Sequence, residues 1–318
     1  MRARQIINAA FALVACCLTI SAQDQSQKDP LEQRFQEISG LLALDRPADA
    51  ERKLKDLGLR ANSSKFNLGK ATISTYVFVS MLLITTYSQM GDLGSAERVA
   101  NDRIEWAQNA YGPESRQQAG FIDLLAETYR IQGKYKEAEP LYKRSLSIKE
   151  AQNMATCLIT HSTYTGLAEA YVAQKRPRDA EALLKPAIES CKEKSFALPD
   201  LLNVYSIALE EDQQPKQSAD AEHLADSFTP PEPRFRQEDR DLLRARLAMT
   251  NGRADEAISL CKKWIAIMEV PDGPESDRRL MLPLSEGARI LRRAGRDSEA
   301  AELTARLNQI RKKYNARF

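Results

Sequence analysis

His161 and His223 are the only imidazoles in a chain of 318 residues, and they stand far apart. Neither has the neighbours that a histidine metal site or a nucleophile–base pair needs. Carboxylates recur throughout, but the charged face of any solvated helix supplies such pairs without chemistry. There is no glycine-rich phosphate loop, no nucleophile elbow and no CxxC pair. These residues therefore point away from catalysis, and no metal or cofactor is expected.

The elements that carry them are helical. Alanine, leucine, glutamate, lysine and arginine dominate, all good helix formers. Only 13 glycines and 7% aromatic residues argue against a large sheet protein. The hydrophobic share of 43% and charged share of 28% are those of ordinary folded chains, which excludes wholesale disorder.

Residues 1–22 read as an address. Arg2 and Arg4 precede the apolar run IINAAFALVACCLTISA, and the polar run DQSQKDP follows. This is the layout of a secretory signal peptide cleaved after Ala22, with residues 23–30 as a linker. Two alternatives stand beside it. Leu13-Val14-Ala15-Cys16 resembles the bacterial lipobox, which would make Cys16 a lipidated N-terminus, and an uncleaved anchor is the third. Each places the protein in an exported compartment, periplasmic or extracellular, with the membrane involved only through this segment. Without Arg2 and Arg4 the chain carries 44 basic and 44 acidic residues. Nothing forms the basic stripe that phosphate backbones require, so nucleic acid is not an expected partner.

From residue 31 onward the chain repeats itself. Tyr87, Tyr129 and Tyr171 are spaced by 42 residues. Gly91, Gly133 and Lys175 follow each by four, and Ala96-Glu97, Ala138-Glu139 and Ala180-Glu181 by nine. Weaker copies place alanines at Ala50, Ala221, Ala257 and Ala300, giving seven helix pairs, with irregularity around residues 212–234. Leu125, Ala126 and Tyr129 share one helical stripe, Gly133 suits a tight turn, and Ala138 allows close helix crossing. One such hairpin cannot bury both its faces, so successive hairpins must stack.

The pattern Leu-Ala-x-x-Tyr-x-x-x-Gly-x-x-x-x-Ala resembles the tetratricopeptide repeat. The run GKYKEAEPLYKRSLSI, the 42-residue period and Tyr111-Gly112-Pro113 are similar to its kinesin-light-chain-like form. The resemblance spans residues 31–318 and is most specific between 76 and 190. It implies an all-α helical-hairpin solenoid, a right-handed superhelix whose concave face, lined by first helices, binds peptides or protein segments without catalysis. On this chain that face would comprise Thr85, Gln89, Asp123, Glu127, Arg130, Thr165 and Glu169, as exposed first-helix positions. The pattern departs from the family where asparagines usually grip a ligand backbone: Asp123, Leu124, Thr165 and Gly166 stand there instead. A groove carrying Asp123, Glu127 and Glu169 would prefer a basic or polar segment, or these carboxylates are merely solvated. The expected function is an exported protein-binding scaffold. The alternatives are a structural spacer acting in envelope assembly by self-association or edge contacts, and an unrecognised enzyme.

Cys157, Cys191 and Cys261 lie in the repeats, as buried fillers of helix faces or as one bridge with a thiol left over. Cys157 and Cys191 are the pair expected for a bridge, being within one repeat. Ala71 to Gly91 carries no charge, yet its serines and threonines and its repeat register make it a buried first helix rather than a membrane span. Phe228-Thr229-Pro230-Pro231-Glu232-Pro233 and Pro271-Asp272-Gly273-Pro274 are helix breakers, and the last helix, with Arg306 and Arg311, reads as a polar cap.

Overall fold

The computed structural model describes residues 30–43, 46–61, 70–152, 157–191, 197–227, 234–269 and 280–315. The segment expected to be a signal, with Cys16, and both proline clusters lie outside them. Among the described residues there are 14 helices and no strand, an all-α solenoid of about seven pairs. In chain order the pairs are α1 (Pro30–Ala43) with α2 (Pro47–Ala61), α3 (Lys70–Gln89) with α4 (Leu93–Tyr111), and α5 (Arg116–Gln132) with α6 (Tyr135–Ala151). Then come α7 (Cys157–Ala173) with α8 (Pro177–Ser190), α9 (Leu198–Glu211) with α10 (Pro215–Ser227), α11 (Arg234–Thr250) with α12 (Ala254–Met268), and α13 (Met281–Arg293) with α14 (Asp297–Asn315). The described helices fall into two compact units: α1–α3 with the end of α14 from Asn308, and α4–α13 with the start of α14. Among the described residues, no helix is long and apolar enough to cross a membrane.

One device ends the first helix of six pairs. Gly91, Gly133, Gly252 and Gly295 have φ between 73° and 79°, and Lys175 and Gln213 have φ of 61°. Each donates its N–H to the carbonyl three residues back, and the following N–H reaches five back, as in Lys134 to Tyr129 (2.9 Å) and Arg176 to Tyr171 (2.9 Å). This double closure satisfies carbonyls that would otherwise be stranded at the helix end. Pro47, Pro177 and Pro215 then open second helices, where a missing N–H costs nothing.

The turns correct one expectation. The small residue five positions after the left-handed one is Ala96, Ala138, Ala180, Ala257 or Ala300, each fully buried. In the fifth pair that position is Ser218, buried at 6%, so the expected Ala221 is three residues out of register. Ala221 is also buried, but one helical turn further along α10.

Stacking supplies the core. One apolar cluster runs through Ala126, Tyr142, Leu146, Leu167, Leu184, Leu201 and Leu243, drawing on α5 to α9 and α11. Each enclosed leucine contributes about 1.5–3 kcal/mol, which the stack realises and a lone hairpin does not. Polar staples reinforce the stacking. Glu97 accepts from Tyr129 Oη (3.1 Å) and Gln132 Nε2 (3.1 Å) of the next pair. Glu139 likewise accepts from Gln174 Nε2 (2.8 Å) and Arg176 Nη1 (3.2 Å), and Glu181 from Gln214 Nε2 (3.2 Å). In the unit that holds α1–α3, Tyr87 Oη donates to Glu51 at 2.8 Å. The glutamates that follow Ala50, Ala96, Ala138 and Ala180 therefore join one hairpin to the next.

Candidate protein-binding face

The structure sorts the seven expected face residues into different surroundings. Thr85 and Gln89 on α3 are half-buried, and Thr85 Oγ1 turns back to the Met81 carbonyl at 3.0 Å. Thr165 Oγ1 does the same toward the Ser162 carbonyl at 3.0 Å. Such i−3 and i−4 bonds occupy the hydroxyl locally.

Asp123 pairs with Lys149, whose side chain is only 5% exposed. Lys149 Nζ also donates to Thr163 Oγ1 at 2.7 Å, and Thr163 Oγ1 donates to Asp123 Oδ1 at 3.1 Å. One carboxylate thus ties α5, α6 and α7 together.

Glu127, Arg130 and Glu169 form a second knot. Arg130 Nε donates to Glu127 Oε2 at 2.6 Å, and its Nη1 donates to Glu169 across the hairpin boundary. Tyr142 Oη adds a bond to Glu127 Oε2 at 3.1 Å. Arg130 and Glu169 are each 9% exposed, so these two expected surface positions are enclosed. An ion pair between adjacent first helices is what encloses them. Glu127 keeps 38% of its side chain open. It is the accessible carboxylate of the three.

Electrostatics follow from that packing. Burial alone would raise the Glu127 carboxyl, but the Arg130 guanidinium, Arg246 and the Tyr142 hydroxyl hold it down at about 2. Enclosure and the neighbouring Glu127 charge push the Tyr142 phenol well above its ordinary range. Every carboxylate of this face is matched by a cation or a hydroxyl. The arrangement offers fixed charge and hydrogen bonding, and no nucleophile beside a base.

Three further face residues escaped sequence reasoning: Arg246 on α11, with Glu286 and Arg289 on α13. Arg246 Nε donates to Glu286 Oε2 at 3.1 Å, and Arg289 Nη2 reaches the same oxygen at 2.6 Å. Burial works against the Glu286 charge, yet Arg246 and Arg289 keep its carboxyl below the usual range. A signal was present. Counting back six from the left-handed turn residues lands on Thr85, Glu127, Glu169, Arg246 and Arg289, and in the fifth pair on the buried Ile207.

Elsewhere, a cleft of about 630 Å³ lies where the turns of three hairpins meet, between Lys175, Arg178, Asp212, Asn251 and Arg253. Arg178 is paired with Asp212 (3.1 Å) and Arg253 with Glu211 (2.9 Å). Cys191 is disulfide-bonded, while the side chain of Cys157 lies outside the described residues. Cys261 is a free buried thiol, pushed up to about 12 by burial. His161 sits half-buried on α7 and His223 exposed on α10. Among the described residues no three of histidine, cysteine, aspartate and glutamate gather in a way that could hold a metal ion.

With hairpins, phased turns and staples in place, the comparison with known families decides the identity of this region. The tetratricopeptide repeat model matches residues 76–151 and 121–193. These are tetratricopeptide repeats. The match covers the stretch where tyrosine, turn and alanine stay in phase and includes the Glu127–Arg130–Glu169 knot. No curated protein matches the chain. Among solved structures, BtubC (BKLC) from P. vanneervenii is similar with a TM-score of 0.41 and 19% identity, over 70% of this chain and 92% of that one. A Rap protein complexed with competence and sporulation factor is similar with a TM-score of 0.43 and 13% identity, over 100% of this chain and 98% of that one.

Proposed function

We propose that the protein is an exported, non-catalytic scaffold that holds a protein or peptide segment on the concave face of its first helices. The observation that supports this reading most is the run of tetratricopeptide repeats whose first helices carry ordered polar side chains at successive equivalent positions. The preferred segment is basic or polar, because Glu127 is the accessible carboxylate of the central knot. Export follows from the N-terminal signal, with lipidation at Cys16 as the alternative. The disulfide-bonded Cys191 supports an oxidising compartment, and we assign Cys157 as its partner.

A second reading has its own observation. Asp123, Arg130 and Glu169 are already paired within the chain, as a spacer acting by edge contacts or self-association would allow. Site-specific photo-crosslinking separates the two. A benzoylphenylalanine in place of Glu127 or Gln89 should capture a partner in the native envelope or medium, and one in place of Arg98 on α4 should not. Capture from Arg98 alone would favour the spacer, and capture only of a second copy of this chain would favour self-association.

A further inference from the structure

The unit that holds α4 to α13 closes on itself across its first-helix face. Its early hairpins present acid there, Glu127 and Glu169, and its late hairpins present base, Arg246 and Arg289, at the equivalent position. The two halves are adjacent in space. Helix α11 packs against α7 as well as against its sequence neighbours. Arg246 lies within electrostatic range of Glu169 and Arg130, and Glu127 within range of Arg246. Tyr135, 4% exposed at the start of α6, feels the charges of both Arg246 and Arg289.

A direct touch accompanies the charges. A Cβ added to Gly133 would lie 2.5 Å from Nη1 of Arg293, so this guanidinium rests on the left-handed turn that ends α5. The carboxyl end of a helix carries partial negative charge, and a cation there is worth roughly 0.3–1 kcal/mol. Among the described residues Arg293 has no carboxylate partner, which leaves the end of α5 as its seat.

We propose that Arg293 is an ionic latch: seated on the Gly133 turn, it holds the seventh hairpin against the third, and its release opens the unit across its first-helix face. The latch concerns the closure of the unit and stands whether or not a given partner is found.

Two spin labels read the closure directly, attached at Lys136→Cys and Ser298→Cys, exposed positions beside the third and seventh turns. The latch variant is Arg293→Glu, a change at an exposed position that leaves the buried Arg246–Glu286–Arg289 cluster intact. The wild-type background should give one short interspin distance. The variant should keep its helical circular dichroism while that distance lengthens by on the order of 5 Å, the scale of a one-turn shift, and while hydrogen exchange accelerates along α5 and α7. A long or broad wild-type distance, or a variant distance unchanged with helicity intact, overturns the proposal. Should Arg293→Glu lose helicity, Arg293→Gln decides on the same two readouts.

Discussion

Gly166 sits inside α7, where alanine would be favoured by about 1 kcal/mol on helix propensity. Its environment argues the other way. A Cβ built there lies 2.4 Å from Cζ, 2.5 Å from the hydroxyl oxygen and 2.8 Å from Cε1 of Tyr142, all well inside van der Waals contact. Tyr142 is 1% exposed and donates to Glu127 at 3.1 Å, so the ring has nowhere to retreat without loosening that bond. Overpacking of this kind costs about 1–3 kcal/mol, and a hydrogen bond to a charged group is worth about 1.5–3 kcal/mol when lost outright. Setting partial losses against the propensity gain, Gly166→Ala should destabilise by about 2 kcal/mol, or about 4–8 °C in melting temperature. Urea denaturation followed by circular dichroism measures this. The same substitution on a Tyr142→Leu background, where the ring is gone, should recover the propensity gain and stabilise by about 1 kcal/mol. A Gly166→Ala protein more stable than wild type would refute the argument, because propensity would then outweigh the contact.

The other expectations are simpler. Lys175 holds a left-handed conformation where four other turns use glycine. That conformation costs a side-chain residue about 1–2 kcal/mol, so Lys175→Gly should raise the unfolding free energy from urea denaturation by a net amount of about 0.5–1 kcal/mol after the entropy of a freer unfolded chain. Glu127 has a carboxyl lowered from 4.5 to about 2, so the stability it contributes is complete above pH 4.5 and disappears as pH falls toward 2. With 38% of the side chain exposed, solvent screening reduces that contribution to about 1–2 kcal/mol, and Glu127→Gln should flatten the acid limb of a stability–pH curve by that much. Cys261, buried with its thiol pushed up to about 12, should resist iodoacetamide at pH 8 in the native protein and react promptly once denatured.

What the sequence disclosed depended on whether a residue acts within its own hairpin or across hairpins. Tyr129, Gly133 and Ala138 do local work, ending one helix and fitting the next, and such work leaves a fixed spacing. The turn at Lys175 was readable by register although glycine was missing. The fifth pair was misplaced because it lost both markers: Gln213 stands at the turn and Ser218 at the crossing, while Ala221 offered a decoy one helical turn on. The phased glutamates were visible, but their task was not, since Glu97 and Glu139 act on side chains 32 to 37 residues ahead. Arg130 and Glu169 were read as surface residues, because a charged position on one helix gives no sign that the neighbouring helix brings its counter-ion. Arg246 and Glu286, 40 residues apart, are the same kind of pair between adjacent first helices, and were hidden for the same reason.

The central claim is that hairpins with left-handed turns follow one another and bury their apolar sides against their neighbours. Residue-resolved amide hydrogen exchange tests it most directly. Protection should be highest within α5 to α9, continue through the closed turns at 133–134 and 212–214, and fall sharply at 135–137 and 216–217, the first-turn amides of α6 and α10 that precede the first bonded N–H groups, Ala138 and Ser218. Continuous protection through 135–137 or 216–217, or cross-strand exchange signatures around Tyr129 and Tyr171, would contradict it.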